Sequence, residues 1–141
     1  EANKFVYEKY EYKVGCPPSG PLACLLFCMP TAPASQPKTV IISHAIAVLS
    51  ALCAVAVHDF IPVLDVPKPV VGLVLSILAM KLAKAINPPA AAYAAALSGS
   101  GTTFGAVLTG PGTLGAVVLI VVQQVYFKIT DTITGTKAKK A

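Results

Sequence analysis

The sequence predicts an all-α membrane protein built from three transmembrane helices and two short, proline-broken helices that form a degenerate repeat. Three observations carry this. The chain of 141 residues is 55% apolar, only 12% charged, and has a mean hydropathy of +0.73, whereas a soluble domain carries about 25% charged residues. Three apolar stretches approach the roughly 20 residues needed to cross the hydrocarbon core of a bilayer. Two further segments rich in small residues are too short to cross, lie beside the longer ones, and each carry a Pro-Pro pair: Cys16-Pro17-Pro18-Ser19-Gly20-Pro21-Leu22-Ala23-Cys24 and Asn87-Pro88-Pro89-Ala90-Ala91-Ala92-Tyr93. Broken segments in corresponding positions mark the paired half-helices with which transport folds build a site at mid-depth.

In chain order, residues 1–15 read as a polar, aromatic tail in which Phe5, Tyr7, Tyr10 and Tyr12 alternate with Lys4, Glu8, Lys9, Glu11 and Lys13. Residues 16–128 read as a single membrane domain. Its first broken segment is 16–30, bounded by Pro17, Pro18, Pro21 and Pro30. The first span, residues 39–61, contains Ser50, Ala51, Cys53 and Ala54, small residues that let helices approach closely in lipid. A turn at Asp59, Pro62, Asp65 and Pro67 follows. The second span is 69–87, opening on a proline as first helical turns tolerate. The second broken segment is 87–98, followed by a Ser98-Gly99-Ser100-Gly101 linker. The third span is 104–127, with a kink expected at Pro111 and a lipid-facing, β-branched run from Ala116 to Val122. Residues 129–141 form a Lys-bearing tail.

Charge and cysteine usage exclude several functions. All basic residues are Lys, and the net charge of +5 is dispersed rather than clustered. Without Arg, the usual reader of bases and phosphates, nucleic acid is not an expected partner. The lipid bilayer is, and so are neighbouring membrane subunits. Lys4, Lys9, Lys13 and Lys38 balance Lys68, Lys128, Lys137, Lys139 and Lys140 on the opposite side of a three-span topology, so the positive-inside rule gives no orientation. Cys16, Cys24, Cys28 and Cys53 contain no Cys-x-x-Cys pair and read as packing residues, not metal ligands. No signal or transit peptide pattern precedes them. The acidic residues fall in tails and turns, and no nucleophile elbow, phosphate loop or carboxylate pair appears. No catalytic residue is assigned, and the expectation is a protein that is not an enzyme.

The polar residues inside the spans are the candidates for a site. Lys81, Lys84 and Asn87 recur every third residue, the spacing of one helix stripe. The helix start expected after Asn87 adds exposed N–H groups, which attract anions. Lys84 beside that start makes a chemically sensible small-anion site, whereas snorkelling to the headgroups is the structural alternative for both lysines. His44 is a candidate axial ligand for a pigment, against the plainer reading of a polar contact to a neighbouring helix. His58, beside Asp59 at a span end, reads as interfacial.

Pro33-Ala34-Ser35-Gln36-Pro37-Lys38, the following span with His44, and the second span running into Lys84 and Asn87-Pro88-Pro89-Ala90 together resemble the HPP integral membrane family, named for a His-Pro-Pro signature. The resemblance covers roughly residues 20–128. Here Asn87 stands where the signature has His, and residues 1–15 cannot form the span that precedes the family's first small-residue segment. The resemblance implies that His44, Lys84 and Asn87 occupy the family's polar positions. Plastid members are associated with nitrite transport. Two functions are therefore expected. The favoured one is a non-enzymatic accessory subunit of a larger membrane assembly, a photosynthetic complex of the plastid thylakoid membrane, with chlorophyll or lipid bound at its surface and His44 as the pigment ligand. The alternative is a transporter or channel for a small anion such as nitrite, with Lys81, Lys84 and Asn87 lining a cavity between the two half-helices.

Overall fold

The computed structural model describes residues 19–60, 66–99 and 111–134. The expected N-terminal tail and most of the linker after Ser98 lie outside these residues. The described residues form five α-helices and one 3₁₀ turn, without strands: α1 Ser19–Cys28, the turn Pro33–Ser35, α2 Pro37–Phe60, α3 Lys68–Leu82, α4 Pro88–Gly99 and α5 Pro111–Thr134.

Prolines set most of the boundaries. Helices α2, α4 and α5 each open on proline, and Pro69 lies in the first turn of α3, where the missing N–H has no intrahelical partner to lose. The described helix α5 opens at Pro111 and runs to Thr134, taking in part of the expected polar tail; residues 104–110 of the expected third span, and with them the expected kink, lie outside the described residues. The first broken segment becomes α1 and the second becomes α4, close to the expected limits.

Three spans were expected; among the described residues two helices are long and apolar enough to cross a bilayer. Pro37–His58 and Thr113–Ile133 are 22 and 21 residues long and apolar enough to cross a bilayer. The expected span 69–87 instead ends at Leu82, leaving α3 with 15 residues, about 22 Å of helix against the ~30 Å of a hydrocarbon core. The cause is a change of backbone hand. Lys84 has φ of 54°. The Lys84 N–H donates to the Lys81 carbonyl at 3.2 Å, and the Ala85 N–H donates to the Met80 carbonyl at 2.9 Å, the paired bonds of a Schellman stop. Met80 and Ala85 are both buried, as that motif's apolar contact requires. Glycine is the usual residue at this left-handed position; a side chain there costs about 1–2 kcal/mol.

Helices α2, α3 and α4 pack mutually around Ala47, Val48, Ala51, Met80, Ala90, Ala91, Tyr93, Ala94 and Leu97. The alanines of α4 are what let the three axes close up. α3 and α4 approach closely: a Cβ on Gly72 would lie 2.5 Å from the Ser98 Oγ and 3.2 Å from the Ala94 carbonyl oxygen. A second, smaller core joins α1 to α5 and to the start of α2 through Leu22, Leu26, Val40 and Ala116. The outward face of α5 exposes Val117, Val118, Val121, Val122, Val125 and Ile129, the lipid-facing character expected of that helix.

Two substitutions test these constraints by thermal melting in detergent. Lys84→Gly relieves the left-handed strain and is expected to stabilise by about 1 kcal/mol. Gly72→Ala drives a methyl group into α4 and is expected to destabilise by about 1–3 kcal/mol. A Gly72→Ala protein that melts with the wild type would mean α3 and α4 are not packed this closely.

Candidate functional site

The polar side chains do not gather along the expected stripe. Because α3 stops at Leu82 and the chain reverses hand at Lys84, Lys81 and Asn87 belong to different elements. Lys81 and Lys84 are exposed, whereas Asn87 is fully buried. The three do not line one face of a cavity.

Asn87 is the N-cap of α4 and a tie between helices. Its Oδ1 accepts the Ala90 N–H at 3.3 Å, and its backbone carbonyl accepts the Ala91 N–H at 3.1 Å. Its Nδ2 donates to the Ala34 carbonyl, 53 residues earlier, at 3.2 Å. That carbonyl lies in the 3₁₀ turn, where the next tight-ladder donor would be the N–H of residue 37. Residue 37 is a proline, so the side chain of Asn87 supplies the bond that the backbone cannot. The Ser35 hydroxyl lies 2.7 Å from both the Met29 and the Ala32 carbonyl and closes the same turn. A carboxamide combines an acceptor with a donor, which lets Asn87 cap α4 and donate to Ala34 at once.

This arrangement closes the expected anion site at the start of α4. Pro88 and Pro89 have no N–H, and that of Ala90 is already bound to Asn87. The donors that would hold an anion there are absent or taken.

His44 is 6% exposed. Its Nδ1–H donates to the Val40 carbonyl at 2.8 Å, and its ring lies 5.9 Å from that of Tyr93, tilted by 35°. The imidazole is therefore held between α2 and α4; a porphyrin-sized group would reach it only if that contact opened. The Tyr93 hydroxyl is 3.1 Å from the Thr113 Oγ1. A line of hydrogen-bonding side chains thus runs from α2 through α4 to α5. His58 is half-buried near the end of α2.

Gln123 is a residue that sequence reasoning passed over. It stands at the centre of Thr113–Ile133, is 3% exposed, and its Nε2 donates to the Leu26 carbonyl at 2.8 Å across 97 positions of sequence. Leu26 lacks its own helical partner because that donor would be the N–H of residue 30, which is Pro30. The available signal was the Gln123-Gln124 pair inside a β-branched run, since amides within spans commonly bond across helices.

Two apolar helices of spanning length among the described residues, shorter helices packed against them, and amides that restore lost backbone bonds define an integral membrane protein of helical type. The family described as "HPP, transmembrane region" matches residues 2–134, and the chain belongs to it. No curated protein and no solved structure matches the chain.

Asn87→Ala removes the cap and orphans the partly buried Ala34 carbonyl, and is expected to destabilise by about 2 kcal/mol. Asn87→Ser keeps a capping oxygen but cannot reach Ala34, and should fall between. Asn87→His should remain folded. Thermal melting in detergent ranks the three; an alanine variant as stable as the wild type would remove Asn87 from this role.

Proposed function

We propose that this protein is a non-enzymatic membrane transport protein that passes a small polar solute, of the size class of nitrite, through the interior between its short and long helices. The observation that carries this reading is the His44–Tyr93–Thr113 line, in which three helices contribute hydrogen-bonding side chains to one place within the bundle. Ionisable and polar groups are costly at membrane depth and mark pathways when they face the interior. Short helices beside full spans favour the same reading, because they bring helix ends and polar groups away from the membrane surface. The exposed Lys81 and Lys84 have the sign to draw anions toward the α3–α4 connection. They act here as an electrostatic approach and not as the lining of a site.

A second reading, an accessory subunit within a larger membrane assembly, is favoured by α5. Among the described residues this helix packs mainly against α1 and α2 and leaves its valine face exposed. α3 is also shorter than a bilayer core, a mismatch that neighbouring subunits can accommodate. A photosynthetic complex of a plastid is the particular assembly expected from the sequence. A pigment role for His44 in it would require the ring to leave Tyr93.

Reconstitution into liposomes distinguishes the two. The transport reading expects nitrite or another small anion to leak faster than from empty vesicles. It expects Tyr93→Phe, which removes one hydroxyl, to lower that rate by about tenfold. Flux no greater than in empty vesicles, with the chain migrating within a large complex on a native gel of gently extracted membranes, would favour the subunit reading.

A further inference from the structure

Gln123 uses only half of its carboxamide. Its Nε2 is bound to Leu26, but its Oε1 is buried and has no hydrogen-bond partner. The cost of leaving such an oxygen bare inside a membrane protein is large enough that natural structures rarely do so. The question is what donates to it.

The surroundings define the chemistry. Gln123 meets the carboxyl end of α1, where a helix presents partial negative charge and its last carbonyls. No basic residue lies in the last turn of α1 to balance that charge. The apolar side chains packed here are Leu22, Leu26, Val40 and Ala116, with Phe27 against them. An anion would meet the bare Oε1 and the negative end of a dipole. A divalent metal would call for several carboxylates, and no group of three or more His, Cys, Asp or Glu that could hold one occurs among the described residues. What remains is a small electropositive guest of single charge.

We infer that Gln123 Oε1 and the carboxyl end of α1 form a binding site for a monovalent cation, sodium in the first instance, at the centre of the α5 span. Half-helix carboxyl ends and unwound carbonyls are a recurrent way of holding such ions within membranes. Pro30 is what creates the site: by removing the N–H that would close the α1 ladder, it leaves Leu26 to recruit Gln123, and the recruited amide brings its spare oxygen. The site does not depend on whether a solute crosses the protein, and a failed flux assay leaves it intact.

The test is thermal melting of the purified full chain in detergent at fixed ionic strength, with sodium, lithium or potassium chloride replacing N-methyl-D-glucamine chloride. The expected result is a saturable rise in melting temperature, about 5 °C at sodium ten times the half-saturating concentration. Gln123→Lys places an ammonium where it can donate to Leu26 and occupy the cation's position; it should melt at least as high as the sodium-saturated wild type and ignore sodium. If that variant does not fold, Gln123→Glu decides: a carboxylate there should tighten sodium by about tenfold, and unchanged sodium dependence would overturn the site. Equal melting of the wild type in every chloride would also overturn it, leaving an ordered water as the guest of Oε1.

Discussion

Backbone carbonyls stripped of their donors by proline, and two carboxamides that replace those donors, hold the architecture together. Leu26 would bond the N–H of residue 30, and Ala34 would bond that of residue 37 within its tight turn. Both positions are prolines. Gln123 reaches Leu26 from α5, and Asn87 reaches Ala34 from the start of α4. In water, solvent would meet these carbonyls; in lipid the protein must meet them itself. Each replacement therefore also fixes one helix against another, and the two bonds tie the opening α1–turn–α2 unit to the elements that follow it.

The rest of the packing follows from this. With Asn87 pinned at Ala34, α4 begins beside the start of α2, and its alanines are presented to Ala47, Ala51 and Gly72. These residues are small enough for backbones to approach closely, which is the source of attraction between helices when lipid removes any hydrophobic advantage. Tyr93 is then brought under His44 and within reach of Thr113. The polar line across α2, α4 and α5 is a consequence of where α4 starts.

The same arrangement separates what the sequence joined. Lys81, Lys84 and Asn87 keep a helical spacing on paper, but a left-handed residue at Lys84 ends α3 before the stripe is complete. The polar residues associated with the family signature then divide their work. Asn87 is structural, the lysines are exposed, and His44 is enclosed. Membership of the HPP family thus sits on an interior in which two amide hydrogen bonds, Asn87 to Ala34 and Gln123 to Leu26, tie distant elements together.

The sequence by itself determined the solvent and the punctuation. Low charge and high apolar content pointed to a bilayer, and the prolines at 69 and 88 marked helix starts because proline's fixed φ and missing N–H suit that position. It also showed two short helices beside long ones. Only the tertiary structure decided where α3 ends, since a lysine is not the residue that periodicity assigns to a left-handed stop. Only the tertiary structure, too, paired Gln123 with Leu26 and Asn87 with Ala34. Those bonds join residues 97 and 53 positions apart, and local pattern carries no record of which distant carbonyl a proline has left in need of a donor.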